Sequence, residues 1–314
     1  MGLATVDVVI PAYRPDQTTA ELLQMLQKQT YPISNILIIN TGEENWDESL
    51  IRGMHNAEVF HITKAEFDHA AARNMGAGFS NADYLVFMTQ DAVPADENLI
   101  LHLLMHFEDP AVKAVYGRQL PRKDCRIPEG FVRSYNYPPE SHVRTLEDLP
   151  KYGIKSFFCS NVCAAYDADL FRELHGFSTP AIFNEDMVYA GQLLHRGYSV
   201  AYAADAEVYH SHNYSAMQQF HRNFDNGVSQ AMHPELFDGL SATGEGKKLV
   251  RYVTHHLHRI HRPYLIPGFY WQCLMRFLGF RLGKRYQTLP EGLIRRFSMN
   301  PSFWNYHAGD DSLT

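Results

Sequence analysis

Short apolar runs that end in polar loops, with helix-like stretches between them, set the strongest limit on what this chain can fold into. The runs are "VDVVI" (Val6 to Ile10), "NILIIN" (Asn35 to Asn40), "AEVFHI" (Ala57 to Ile62) and "YLVFM" (Tyr84 to Met88). All four are strand-like, and the unbroken apolar run Tyr84 to Met88 reads as a strand buried on both faces, as in sheets covered by crossover helices. Between them, "QTTAELLQMLQKQT" places Leu22, Leu23 and Leu26 at helical spacing, and "DHAAARNMGAGFS" reads as a helix rich in small residues. The alternation predicts an α/β chain with a mostly parallel sheet. Ligands of such sheets sit beyond the carboxyl ends of the strands. "PAYRP", "NTGEE" and "TQDA" fall there, so three polar loops are predicted to converge.

Beyond Ala111 the pattern becomes irregular. "KAVYGRQLPRKDCRIPEG" and "SYNYPPESH" read as loops or edge elements, "FFCSNVCAAY" as a strand, and "NEDMVYAGQLLHRGY" as a helix entered through acids. "SVAYAADAEVYHSH" reads as strands ending in histidines, and from about Ser215 the sequence is helical, aromatic and basic. The boundaries predicted are a first domain over residues 1–214 and a helical extension over 215–314.

With 314 residues, 45% hydrophobic and 20% charged, the chain can bury a full core. Its four cysteines show no repeating spacing, and no leader-like run opens the sequence, which together predict a reducing, cytoplasmic setting. No stretch reaches the roughly 18 apolar residues of a membrane span. Net charge is −7, yet of the 28 Lys and Arg, 11 lie between Gly246 and Arg296, where only one of the 35 acids falls. That split suits an anionic partner, either phospholipid or a phosphate-bearing substrate, on the C-terminal part.

Several residues carry chemistry, and each has a plain structural reading beside it. Asp91 ends the "YLVFMTQDAVP" stretch and could be a turn or helix cap ahead of Pro94. Glu185 and Asp186 open a helix, where the dipole favours carboxylates. His210 and His212 alternate at a strand end, Asp68 and His69 precede a helix, and Arg73 could be a surface cation. Cys159 and Cys163 read as core packing. "HHLHRIH" (His255 to His261) spreads over more than one helical face and reads as a cationic surface, not a metal cluster.

Taken in order, "VIPAYRP", "NILIINTGEEN", "AARNMGA", "FMTQDAVP", "FNEDMVYAGQLLHRGY" and "VYHSH" resemble the family 2 nucleotide-sugar glycosyltransferases of GT-A fold, over about Val6 to Asn213. "QDAVP", with "QQFHRNFDNGV" and "GFRLGKR", is similar to bacterial rhamnosyltransferases that use dTDP-rhamnose for cell-wall or surface polysaccharide. The resemblance implies a Rossmann-like nucleotide-binding sheet with flanking helices, a C-terminal helical extension, and inverting transfer. It implies Pro11 and Tyr13 at the base and ribose, Asn40 and Thr41 in the base-reading loop, Arg73 near the base or diphosphate, and Thr89 and Gln90 along the donor. Asp91, with His210, would hold Mn²⁺ or Mg²⁺. Asp186 would be the catalytic base and Glu185 its acceptor-side neighbour. Two departures stand out: Thr89 occupies the place of the first acid of the family's Asp-X-Asp, and Asn40 or Thr41 replaces an acid of the second loop.

A lipid-linked glycan is the acceptor implied. "PGFYWQCLMRFLGFRLGKR" sets aromatics beside cations, as in a helix lying on an anionic leaflet; a core helix or a homodimer contact is its alternative. No nucleic-acid partner is expected. Rival readings are a UDP-sugar transferase of the same fold and a non-catalytic glycan- or lipid-binding module derived from one.

Overall fold

Alternate residues of a strand point to opposite faces, so a strand apolar at every position must be covered on both. That is the arrangement in the structure, a computed structural model that describes residues 2–240 and 243–304. Its strands are β1 (Val6–Tyr13), β2 (Asn35–Thr41), β3 (Ala57–Ile62), β4 (Tyr84–Met88), β5 (Val93–Pro94), β6 (Val112–Leu120), β7 (His142–Arg144), β8 (Cys163–Asp167) and β9 (Ser199–Tyr209). The helices are α1 (Gln17–Leu26), α2 (His69–Gly78), α3 (Leu99–Met105), α4 (Ile127–Asn136), α5 (Leu149–Tyr152), α6 (Ala168–Glu173) and α7 (Glu185–His195). They continue with α8 (Ala216–Met232), α9 (Pro234–Phe237), α10 (Thr243–Arg259), α11 (Ile266–Gly283) and α12 (Glu291–Phe297).

The nine strands form one sheet of order β3-β2-β1-β4-β8-β6-β9-β5, with β7 added on β9. β1, β2, β3 and β4 run parallel, whereas β8 is antiparallel to both β4 and β6. On one face Val8, Ile10, Ile36, Ile38, Val86 and Met88 pack with Leu22, Leu23 and Leu26 of α1. On the other, Val9 meets α2 so closely that a Cβ on Gly76 would overlap its side chain, and Phe87 joins Tyr166, Phe171 and Phe177. Two Asp residues start these helices: Asp16 caps α1 through Thr18 and Thr19, and Asp68 caps α2 through Ala70 and Ala71.

Three local expectations are corrected. The "KAVYGRQL" stretch is no loop or edge element but β6, held between β8 and β9, because its prolines begin only after Leu120. "FFCSNVCAAY" is strand only from Cys163, with Phe157 in a 3₁₀ turn and Asn161 in the loop between. "SVAYAADAEVY" is one strand, β9, interrupted by a bulge where pairing with β6 passes from Gly117↔Ala203 to Arg118↔Glu207.

The chain divides into two compact units. The first comprises the described residues up to Arg122, Tyr137–Thr179 and Glu185–His210; the second, Lys123–Asn136, Pro180–Asn184 and the described residues from Ser211. The second unit is helical and is organised by α8 against α11. Gly227, Gly279 and Gly283 let these two backbones touch: a Cβ on Gly279 or Gly283 would collide with the carbonyl oxygen of Phe220 or Phe224. No helix of the described residues is long and apolar enough to cross a membrane.

This crossing can be tested within one helix. Gly283→Ala should cost about 1–3 kcal/mol of overpacking, read by urea unfolding. Gly268→Ala, whose Cβ meets nothing within 4 Å on the same helix, should be neutral or stabilising. Equal effects would refute the close-packing account.

Candidate functional site

The parallel register sets Ala12 beside Asn40 and Tyr13 beside Thr41, so the ends of β1 and β2 are level. Gln90, beyond β4, then ties the third loop to them. The Tyr13 N–H donates to Gln90 Oε1 at 2.8 Å, and Gln90 Nε2 donates back to the Tyr13 carbonyl at 2.9 Å. Gln90 is thereby a brace for the loop after β1. Pro11 is partly buried, while Tyr13 is 40% exposed as a residue, with Arg14 and Lys64 over its ring at 5.2 and 5.4 Å.

Asn40 is fully buried, its Nδ2 donating to the Gly42 carbonyl and meeting His61 Nδ1, both at 3.0 Å. Asn40 therefore shapes the Gly42 turn from inside the sheet. Its Oδ1 and the hydroxyls of Thr41 and Thr89 are buried without a hydrogen-bond partner. Such groups are uncommon in a finished core and mark this sheet edge as polar beyond what the fold uses.

Asp91 and His210 meet because of strand register. β5 pairs Val93 with Tyr209, and β6 pairs Leu120 with Tyr209, so the residues flanking those positions converge. His210 Nε2 lies 3.5 Å from Asp91 Oδ2, and its Nδ1 lies 3.0 Å from Gln119 Oε1. Gln119 Nε2 donates to the Tyr137 hydroxyl (2.6 Å) and to Ser160 Oγ (3.0 Å), and its Oε1 faces His210. An Nδ1–H of His210 given to that oxygen would leave Nε2, on the Asp91 side of the ring, able to ligate a cation. A histidine oriented by an outer hydrogen bond, next to a hard carboxylate, fits a divalent-cation site. His212 lies two residues on, in the second unit. Among the described residues, the histidines at 255–261 form no metal-ligand cluster.

The acidic pair lies along the same edge, again through register. Because β8 runs antiparallel to β4, Met88 faces Cys163, and the Thr89 N–H donates to the Val162 carbonyl at 3.2 Å. That leaves Asn161 next in line. Its backbone N–H donates to Asp186 Oδ2 at 2.9 Å and its Nδ2 to Glu185 Oε1 at 3.0 Å; its Oδ1 accepts from the Tyr166 hydroxyl at 2.8 Å. Asp186 Oδ1 also accepts from the Met187 N–H at 2.8 Å.

Arg73 is buried and paired: its Nη1 is 3.2 Å from Glu185 Oε1 and donates to the His69 carbonyl, and both side chains of the ion pair are buried. Burial alone would raise the Glu185 carboxyl, but Arg73, His69 and the Asn161 amide outweigh it and hold it below its ordinary value. Asp186 is only partly buried by its surface, yet burial of the carboxyl and the neighbouring Glu185 charge push it up to about 7, against its two backbone donors. One of two adjacent acids is thus kept ionised and the other poised near neutrality.

Asn161, Gln119 and Tyr166 were not singled out from the sequence. The signal available was a lone amide inside each apolar run, "CSNVCAAY" and "VYGRQL".

Residues 7–175 match the family described as Glycosyl transferase family 2. The chain is 37% identical over 304 residues to the O-antigen chain rhamnosyltransferase RfbN of Salmonella typhimurium, covering 96% of each chain. It is 36% identical over 303 residues to the O-antigen chain rhamnosyltransferase WbaN of Salmonella anatum, covering 95% of each. Among solved structures, the mannosyltransferase PcManGT from Pyrobaculum calidifontis, in complex with GDP-Man and Mn²⁺, aligns with a TM-score of 0.56 at 15% identity, over 99% of this chain and 86% of that one. At that identity the likeness speaks for the fold alone, and the fold is the GT-A architecture that the motifs implied.

Two stability measurements test the acidic pair. Arg73→Met leaves Glu185 buried and unpaired and should cost about 3–5 kcal/mol, read by denaturant unfolding. For Asp186 the folded state holds its proton to about pH 7, whereas an unfolded Asp releases it near pH 4. Between those values the folded state binds more protons, so this group's contribution falls as pH rises. Asp186→Asn should raise Tm relative to the parent at about pH 8 and change it little at about pH 4. A pH-independent difference would refute the shift.

Proposed function

The chain belongs to glycosyl transferase family 2, and from that premise we propose that it moves L-rhamnose from dTDP-rhamnose to a lipid-linked glycan, with inversion, in surface polysaccharide synthesis. The observation that carries the sugar is the full-length similarity to two enzymes named for O-antigen rhamnosyl transfer.

The residues divide the chemistry as follows. Inversion needs a base that takes the proton of the acceptor hydroxyl as its oxygen attacks the anomeric carbon. Asp186 receives that proton at a carboxylate oxygen, and a value near 7 suits a base working near neutral pH. The Asn161 and Met187 N–H groups hold its two oxygens in place. Glu185, kept ionised by Arg73, supplies the charge that helps raise Asp186 and faces the acceptor side. On the donor side, the exposed Tyr13 ring with Pro11 stacks on the base, while Thr41 and Asn40 line the loop behind it and Thr89 meets the ribose.

Asp91 and His210 would hold the divalent cation, with imidazole favouring Mn²⁺ over Mg²⁺. When bound, that ion neutralises charge building on the departing diphosphate. With one carboxylate where the family's Asp-X-Asp motif has two, Asp91 and His210 alone would hold the cation weakly. The second unit supports peripheral contact with the cytoplasmic face of a membrane: Trp271, Leu274, Phe277 and Leu278 of α11 are exposed beside Arg281.

Purified protein with dTDP-rhamnose and a panel of lipid-linked acceptors should give a product heavier by one deoxyhexose, read by mass spectrometry. Asp186→Asn should lower turnover by about 10²–10⁴ while keeping dTDP binding; retained turnover would remove Asp186 as base. In thermal-shift titrations dTDP should stabilise more than UDP, and Mn²⁺ should add to that shift in the parent but not in Asp91→Asn or His210→Ala. Preference for UDP would make it a UDP-sugar transferase.

A further inference from the structure

A concavity in the second unit lies between α10 and α11, apart from the residues assigned to sugar transfer. It is a groove of about 1480 Å³. Drug-sized ligands occupy pockets of roughly 300–1,000 Å³, so this one has room for a longer molecule. Its floor is apolar: Leu249 and Val250 of α10 face Cys273, Phe277 and Phe280 of α11. The first three are the open side of a small core built on Val253, Leu257 and Phe269.

The rim has the opposite character. Lys247, Arg251, Arg281 and Arg285 stand on it exposed, and none of them makes an ion pair among the described residues. The two other cations that line it are already used, Arg276 by Glu129 at 3.2 Å and Lys284 by Asp238 at 3.8 Å. No acid lines the groove. Like charges set around an apolar trough repel one another, and the trough itself is apolar surface open to water, features that an anionic, apolar occupant would relieve.

We propose that this groove is a binding site for a single-chain anionic lipid, its apolar chain lying on the Val250, Cys273 and Phe280 floor and its phosphate headgroup held by Arg251, Arg281 and their neighbours. A phosphate offers three acceptor oxygens to guanidinium forks that present matched donors. The chain accounts for the length and apolarity of the trough, which a free phosphate would leave unfilled. Exposed Trp271, Leu274 and Leu278 continue along α11, so the groove opens beside the surface best suited to the interface where such a lipid resides. The site is independent of whether Asp186 transfers a sugar.

Calorimetric titration of the full chain with dodecyl phosphate below its micelle concentration reads the proposal directly. Saturable 1:1 binding is expected, at least tenfold tighter than dodecyl maltoside, which has the chain without the charge, and than inorganic phosphate, which has the charge without the chain. Arg251→Glu with Arg281→Glu, both exposed and away from the core, should weaken it at least tenfold while circular dichroism and Tm stay those of the parent. Equal affinity for inorganic phosphate would reduce the rim to a general anion surface, and equal affinity for the maltoside would make the groove merely apolar. Sedimentation showing a dimer that dodecyl phosphate does not dissociate would assign the groove to a second copy. Each of these results, or binding unchanged in the double variant, overturns the proposal.

Discussion

The ion pair between Arg73 and Glu185 is the interaction on which the acidic edge depends. Two adjacent carboxyls at the start of a helix cannot both be ionised in a buried setting without large cost, and a system left alone would share one proton between them. Arg73 breaks that symmetry. It touches Glu185, so Glu185 takes the charge and Asp186 takes the proton. The order of titration follows from which acid the guanidinium reaches, and that in turn follows from α2 being capped by Asp68 and laid against β1 at Gly76.

Asn161 turns this electrostatic arrangement into a fixed geometry. A single residue spends its backbone N–H on one acid and its amide N–H on the other, while Tyr166 fixes the amide's remaining oxygen. Tyr166 is itself immobilised among Phe87, Phe171, Phe177 and Tyr189. Around Asn161 the aromatic cluster supplies the rigidity and the Tyr166 hydroxyl supplies the last donor, while Arg73 Nε stays buried without a partner. Gln119 does the same for His210, held by Tyr137 and Ser160. Both ends of the site are therefore oriented by a buried amide anchored on a tyrosine hydroxyl.

Much of the fold was legible because β1, β2 and β4 are mostly apolar and buried and the first two helices begin at Asp16 and Asp68; β3, at the sheet edge, is largely half-exposed. The candidate site was legible where a polar residue interrupted such a pattern, as Asp91, Glu185, Asp186 and His210 do. What escaped was whatever depends on pairing between distant segments. β6 looks irregular in sequence because Lys113, Gly117, Arg118 and Gln119 break its apolar run. Its place between β8 and β9 is set by partners about 50 and 90 residues away. The partner of Arg73 was hidden for the same reason. A cation on a small-residue helix could face solvent, a diphosphate or an acid, and only the fold brings Glu185 within reach.

Thr89 shows how a departure from a family pattern can alter more than one term. Two carboxylates beside His210 would repel each other whenever no cation lay between them, and the sheet edge would bear that strain at rest. Replacing one by a hydroxyl lowers this repulsion and leaves Asp91 as the acid facing His210. The same replacement removes a ligand charge. On the proposed function, that missing charge has one source at the moment of reaction, the diphosphate of the donor. Cation and nucleotide would then favour each other's binding, and because such coupling is reciprocal, whatever the ion gained from the nucleotide the nucleotide would gain from the ion. On that proposal a site with one acid would tie its metal occupancy to the presence of substrate, where a site with two would hold its metal in advance.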